Sequence, residues 1–382
     1  MLHSKGFEVE MYTGTADGTI VGLSDKIVAD LTGFVREPDS RNVEYTTPPL
    51  SRYEQLLCEL VRPRRTLRAY LEQSGYTLIP GSTLSLSGSD RFYRSDPGNP
   101  YHAYIEQTYG TTVVTASIHI NIGIADPELL MRACRLVRVE APLFLALTAS
   151  SPFLNGQPTG YHSSRWQVFP KTPAFVPLFE SHIHHIRWME EQLAAKTMQN
   201  VRHLWSSVRP NGDRRPYNLN RLELRICDLV IDPIALLAVT ALLEARLLQL
   251  WANPALDPLE LSDLPAHSRN QDLVALTDEN EAAIAKNSLD AEVRHWQSGQ
   301  PLLAREWITQ LYEDVWPTAK ANGISCFLIP LKKILREGNE AQRWLQQCDQ
   351  GATPTEVIQR AIITAEQQEA LLAQDLCGAW VA

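Results

Sequence analysis

The sequence predicts an α+β fold: a body built on a mainly antiparallel β-sheet with helices, and a helical C-terminal region packed on it. Three observations lead there. The first two-thirds of the chain alternates short period-two runs with helical patterns, broken by turn signals at Pro80–Gly81, Pro97–Gly98 and Pro210–Asn211–Gly212. No βαβ series with a Gly-rich first turn appears, which disfavours a doubly wound parallel sheet. From about Leu259 onward the pattern is almost wholly helical, in residues 280–297, 302–322, 330–336, 340–348 and 355–376. A stretch with Pro254, Pro258 and Pro265 separates the two parts, so the expected units are 1–258 and 259–382.

The strands are justified one by one through alternation, which places every second side chain on the same face. In residues 6–11, Phe7, Val9 and Met11 share one face, and Glu8 and Glu10 the other. In 42–47, Val43 and Tyr45 oppose Glu44 and Thr46. In 117–124, four isoleucines (118, 120, 122 and 124) oppose Ser117, His119, Asn121 and Gly123. In 221–228, Leu222, Leu224 and Ile226 oppose Arg221, Glu223, Arg225 and Cys227.

Composition narrows the function classes. The 382 residues suffice for a substantial core, and a formal charge of −9 argues against a nucleic-acid binder. The basic run Arg62, Arg64, Arg65 and Arg68 reads as a solvated helix face. The N-terminus lacks the apolar core of a signal peptide. The most apolar stretch, residues 233–251, is interrupted by Glu244 and Arg246, which suits a buried amphipathic helix better than a membrane span. Six scattered cysteines without a Cys-x-x-Cys pair indicate free thiols in a reducing cytoplasm, with a disulfide among Cys326, Cys348 and Cys377 left open.

The polar strand faces carry the chemistry. Any one of them alone suits a sheet that is wet on one side. Together they supply Glu8, Glu10, Glu44, Glu223, His119, Asn121 and Arg225, where solvent faces favour Thr, Lys, Ser and Gln. Four carboxylates crowded on one surface repel unless cations neutralise them, and hard oxygen ligands favour magnesium with phosphates. Arg225 is placed to stabilise a phosphoryl group. There is no P-loop, no His-Glu-x-x-His, no Gly-x-Ser-x-Gly and no dinucleotide fingerprint. His182, His184 and His185 have apolar neighbours at helical spacing and read as helix-surface histidines rather than metal ligands.

Five segments, in order, resemble the glutamate–cysteine ligase family, particularly its cyanobacterial type and related carboxylate–amine ligases. They are Gly6-Phe-Glu-Val-Glu10, Val43-Glu-Tyr-Thr-Thr-Pro48, Ser117-Ile-His-Ile-Asn-Ile-Gly123, Ser150-Ser-Pro-Phe-Leu-Asn-Gly156 continuing to Gly160-Tyr-His-Ser-Ser-Arg165, and Leu222-Glu-Leu-Arg-Ile-Cys-Asp228. The resemblance implies a glutamine-synthetase-like sheet funnel. It implies an ATP-dependent ligation of the glutamate side-chain carboxylate to the amino group of cysteine, giving γ-glutamylcysteine for glutathione synthesis. By motif match Glu8, Glu10, Glu44, His119 and Glu223 are magnesium ligands, and Arg225 contacts the ATP phosphates. Arg165 and Asn121 are assigned to substrate. The implied partners are glutamate, cysteine and ATP, with no nucleic acid or membrane, in a cytoplasmic monomer or homodimer. A ligase with another amine acceptor and a non-catalytic nucleotide- or amino-acid-binding regulator remain as alternatives. On this basis Glu223→Gln is expected to lower turnover by orders of magnitude and leave folding intact.

Overall fold

Ten residues of alternating character, Lys5–Gly14, form strand β1 at the centre of a seven-stranded sheet in a computed structural model that describes residues 2–374. The other strands of the sheet are β2 (Phe34–Arg36), β3 (Asn42–Thr46), β4 (Thr77–Ile79), β5 (Ile118–Gly123), β8 (Val208–Asn211) and β9 (Arg221–Leu224). Their order is β2–β3–β1–β5–β9–β8, with β4 pairing the last residues of β1, and every pairing is antiparallel. Two hairpins lie outside it: β6 (Phe153–Leu154) with β7 (Gln157–Pro158), and β10 (Glu292–Arg294) with β11 (Pro301–Leu303).

Helices α1 (Ser24–Asp30), α2 (Tyr53–Glu72), α3 (Pro100–Tyr109), α4 (Pro127–Thr148), α5 (Ser164–Val168), α6 (His182–Ala194) and α7 (Pro233–Ala252) interleave with the strands. Then come α8 (Pro258–Leu261), α9 (Arg269–Asn287), α10 (Ala304–Ala321), α11 (Ser325–Leu328), α12 (Leu331–Glu337), α13 (Glu340–Asp349) and α14 (Pro354–Leu372). The long core helices begin where the sequence dictates. Asp126 accepts from the amides of Glu128 and Leu129 ahead of α4, and Asp232 from Ile234 ahead of α7, each followed by proline in the first turn.

One face of the sheet is the apolar one expected from alternation: Phe7, Val9, Val43, Tyr45, Ile118, Ile120, Ile122, Leu222 and Leu224 are buried. Helices α4 and α2 pack on the strands, and α7 packs on both helices. A single apolar core continues from Phe7 to Ile362, taking in the helices that follow residue 258. Helix α7 is long and apolar enough to cross a membrane, yet most of it is buried within the protein. Its two interruptions are neutralised inside: Glu244 accepts from Lys5 and the Tyr53 hydroxyl (2.7 Å), and Arg246 pairs with Glu140 at 2.6 Å.

Four expectations need correction. The helix expected over 280–297 ends at Asn287, and residues 292–303 instead form the β10–β11 hairpin. The basic run is not a solvated face, because Arg64 and Arg68 are buried. Arg64 donates to the Tyr45 hydroxyl and the carbonyls of Ile231 and Val230, and Arg68 to Glu369 and Thr77. His185 belongs to the core, not the helix surface; its ring meets Phe179 at 4.7 Å and burial lowers its pKa to about 3. Pro210 and Asn211, read as a turn, end strand β8 at the sheet edge, where a missing N–H costs no ladder bond. Cys58, Cys134, Cys227, Cys326 and Cys348 are free thiols, and Cys377 lies outside the described residues.

Candidate active site

Strand register assembles the site. Pairing sets Glu10 opposite Glu44, Glu8 opposite His119 and Asn121 opposite Glu223. Directly opposed residues of antiparallel strands project to the same face. The side chains singled out on four separate strands are therefore brought to one surface, where Glu8, Glu10, Glu44, His119, Arg165 and Arg225 line a cavity of about 620 Å³. Glu223, fully buried, lies against His119 and Arg225.

The first cluster joins Glu8, His119 and Glu223, with ligand atoms within 4.8 Å of one another. His119 Nδ1 lies 2.9 Å from Glu8 Oε2 and 3.4 Å from Glu223 Oε1. Its Nε2 is 3.1 Å from the Ser117 hydroxyl, which gives its only proton to Glu10 at 2.7 Å. The hydroxyl must then accept from Nε2–H, which turns Nδ1 toward two carboxylates. Arg225 Nη1 also lies 3.4 Å from that nitrogen, so two carboxylates and a guanidinium converge on it.

This cluster is compensated from within. Glu223 takes Arg209 Nε at 2.7 Å, Arg209 Nη2 at 3.0 Å, Arg225 Nη1 at 2.5 Å and Asn211 Nδ2 at 2.6 Å. Burial pushes its carboxyl up, but Arg209 and Arg225 outweigh that and hold it well below the usual range. Burial and the Glu223 charge likewise raise Glu8, and the His119 hydrogen bond with the His119 and Arg225 charges brings it below its ordinary value.

The second cluster, Glu10, Glu37 and Glu44, also has ligand atoms within 4.8 Å. No Lys or Arg side chain forms an ion pair with it among the described residues. Burial, then the charge of Glu10, pushes Glu37 up to about 8. Burial, then Glu37, Glu8 and Glu10, drives Glu44 well above the carboxylate range. Three carboxylates converging without a cation are the donor set of a hard divalent ion such as magnesium.

Two further candidates are placed differently. Arg165 is buried in the cavity wall, where its Nη atoms donate to the carbonyls of Ile226 and Arg225 at 3.0 Å each and its Nε has no partner. Asp228 holds this segment to the end of β9 by accepting from Ser150 N (2.9 Å), Ser151 Oγ (2.7 Å) and Ser163 Oγ (2.9 Å). Asn121 donates to Glu8 at 3.1 Å, but it lines an adjoining cavity of about 580 Å³ that also touches Glu8 and Arg221. Its Oδ1 is buried without a partner. A third cavity of about 310 Å³, lined by α7 and α12–α14, contains none of the candidate residues.

Sequence reasoning missed Glu37, Arg209 and Asn211. Register shows why Glu37 joins them: Val35 pairs with Glu44, so Glu37, two residues on, shares its face, and β2 is too short for the sequence to signal this.

A family model described as Glutamate-cysteine ligase family 2 matches residues 4–370. Among curated relatives, one from Sorangium cellulosum, named "Putative glutamate--cysteine ligase 2", is 28% identical over 291 residues, 75% of this chain and 74% of its own. One from Rubrobacter xylanophilus, with the corresponding name ending 2-3, is 25% identical over 311 residues, 79% of this chain and 78% of its own. Among solved structures, a glutamate–cysteine ligase of Francisella tularensis in complex with AMP superposes with a TM-score of 0.75 at 13% identity, covering 97% of this chain and 89% of that one. A bifunctional glutathione synthetase from Pasteurella multocida gives 0.73 at 16% identity, covering 98% of this chain and 53% of that one. At such identities these superpositions establish the fold, with its antiparallel sheet and surrounding helices.

Proposed function

The chain belongs to glutamate–cysteine ligase family 2, and on that premise we propose that it uses ATP to join the side-chain carboxylate of glutamate to the amino group of cysteine, giving γ-glutamylcysteine. The observation that carries this reading is the pair of adjoining ligand clusters, Glu8–His119–Glu223 and Glu10–Glu37–Glu44, in one cavity. Glu8 and Glu10 are two residues apart on β1, roughly 7 Å of strand rise. Cations held by these carboxylates would suit a reaction that brings a carboxylate against a nucleotide phosphate.

A carboxylate resists attack by an amine because its charge repels the nucleophile and it offers no leaving group. Transfer of the terminal phosphoryl group changes that: a carboxylate oxygen bonds to phosphorus as the bond to ADP breaks. The amine nitrogen then bonds to the carbonyl carbon, phosphate leaves, and the nitrogen sheds a proton. Magnesium bound at these clusters would neutralise the assembled anions and polarise the phosphoryl group. The side chains supply positioning and charge. Glu223 keeps Arg225 ionised and oriented, and Arg225 serves the ATP phosphates. Arg165, through its unpartnered Nε, and Asn121, through its unpartnered Oδ1, are assigned to the substrates. The reading includes a cytoplasmic monomer or homodimer.

The test is to incubate the protein with ATP, magnesium and glutamate, with and without cysteine, and to identify products by mass spectrometry. Formation of γ-glutamylcysteine with ADP and phosphate is expected. Phosphate release that yields no γ-glutamylcysteine would overturn cysteine as acceptor and leave an ATP-dependent ligase with a different amine.

A further inference from the structure

Two arginines of the active-site cavity have no acidic side chain within ion-pair distance among the described residues. Five of its lining arginines are engaged. Arg209 and Arg225 pair with Glu223, and Arg165 is bound to two main-chain carbonyls. Arg36 lies 3.6 Å from Asp25, and Arg221 lies 3.8 Å from Asp213 with a 2.8 Å bond to Asn220. Arg202 and Arg215, which line the same cavity, have no ion pair or side-chain hydrogen bond among the described residues. Arg215 Nη1 is buried as well as unpartnered, and burial followed by the charge of Arg209 opposes its protonation. Leaving a buried charged donor unmade is costly, so Arg215 has the capacity to take an anionic partner.

The arrangement also says where that anion sits. Arg202 is solvent-exposed in the turn Val201–His203, and Arg215 is half-buried in the β8–β9 loop, whereas Glu223 beside Arg209 and Arg225 is fully enclosed. The free guanidiniums are therefore more open to solvent than the enclosed Glu223 centre. A molecule that approaches the activated carboxylate from the mouth passes them. We propose that Arg215, assisted by Arg202, receives the α-carboxylate of the amino-acid substrate that supplies the amine, so that the enzyme selects an α-amino acid over a simple amine. This rests on the ligase reading above and deepens it by naming the chemical feature of the acceptor that is recognised.

The experiment compares cysteine with cysteamine, which keeps the amine and thiol and lacks the carboxylate, in the wild-type protein and in Arg215→Gln and Arg202→Gln. Wild type should favour cysteine through KM. A charge-assisted hydrogen bond predicts that Arg215→Gln raises the cysteine KM about 10- to 100-fold. The cysteamine KM and kcat should stay unchanged, and the KM values for ATP and glutamate should move less than about threefold. Arg202→Gln, at an exposed site, should shift the same KM in the same direction by less. Because Arg215 Nη1 has no partner to lose, its removal should not lower the melting temperature, and a variant impaired for all three substrates with a lowered melting temperature would point to a structural role and overturn the proposal. An unchanged cysteine KM in both variants would also overturn it. A rise confined to glutamate would reassign the carboxylate to the donor, and a rise confined to ATP would reassign the site to phosphate; either result refutes the acceptor assignment. Glutamate-dependent ADP release by the wild-type protein is measured first. Its absence defeats the ligase reading and the subsite with it, whereas its presence with unshifted variants defeats the subsite alone.

Discussion

Replacing Glu37 by Gln separates the cost of assembling the acidic site from its use. Burial and the neighbouring Glu10 raise the Glu37 pKa from 4.5 to about 8. The folded state thus holds this proton more tightly than the unfolded chain. Its contribution to stability is fully present below pH 4.5 and is lost progressively as pH rises to about 8. At pH 7 the unfolded side chain is ionised and the folded one still protonated. The interval from 4.5 to neutral pH, at about 1.36 kcal/mol per unit, puts the cost near 3 kcal/mol. Glutamine has the same shape, is always neutral and escapes this cost. In a chelator at pH 7, Glu37→Gln should therefore be more stable than wild type by about 3 kcal/mol. With an unfolding entropy of about 2.1 cal/mol/K per residue, that is roughly 4 °C in melting temperature. At pH 5 the gap should shrink below about 1 kcal/mol. Magnesium should raise the melting temperature of wild type more than that of the variant, because the variant lacks one of three carboxylate ligands. Turnover should fall by orders of magnitude. Calorimetric scans at the two pH values, with chelator and with excess magnesium, read all of this. A variant less stable than wild type in chelator at pH 7, or an equal response of both proteins to magnesium, would refute the reasoning.

Other substitutions probe the neighbouring parts. Glu223→Gln removes the counter-charge of buried Arg209 and Arg225, so stability should drop by about 3–5 kcal/mol, read as the urea midpoint; an unshifted midpoint would show that these pairs carry no net weight. Asp228→Asn offers an amide where Ser150, Ser151 and Ser163 donate, and should cost on the order of 2 kcal/mol. It should also speed proteolysis between residues 151 and 163, and identical digestion kinetics would argue against Asp228 as the anchor of that loop. Glu340, raised to about 7 by burial, accepts from Ile231 N, a bond that glutamine can keep. Wild-type stability tied to Glu340 is present below pH 4.5 and lost as pH rises through 7, so Glu340→Gln should gain roughly 2–3 kcal/mol at pH 8 and nothing at pH 4. Superimposable pH–stability curves would contradict that.

The strands and most of the candidate residues were legible because a half-buried strand writes its two faces in alternate letters. Glu8, Glu10, Glu44, His119 and Glu223 fell out of that pattern, and register then joined them. What stayed hidden lies where the pattern is too short or is overwritten. Strand β2 has three residues between Gly33 and Pro38, so Glu37 had no alternation to stand on. Strand β8 carries Pro210, which marks a turn in a sequence and an edge strand in a sheet, and this concealed Arg209 and Asn211. Arg64 and Arg68 looked solvated because sequence shows a charge without its partners, and theirs come from β3, β4, α14 and the segment after β9. Glu223 shows the same thing: two of the groups that donate to it, from Arg209 and Asn211, are on a strand the sequence did not reveal.

The two clusters are built from the same strands yet stand in opposite electrostatic states, and that difference has a physical consequence. Around Glu223 the cations come from the protein, so Glu8, His119 and Glu223 hold their geometry with charges already compensated. Around Glu44 the compensation is left to a proton held by Glu37 and Glu44. A divalent ion entering there must displace that proton, so its binding tightens as pH rises toward 8, whereas the internally paired cluster carries no such penalty. The unfavourable cluster is tolerable because it is anchored on β1 and β3, whose opposite faces bury Phe7, Val9, Val43 and Tyr45, at roughly 1.5–3 kcal/mol per large apolar side chain. The core therefore offsets the repulsion within the acidic cluster. On the proposed reading, a site relaxed by substitution would make a more stable protein and a poorer magnesium binder.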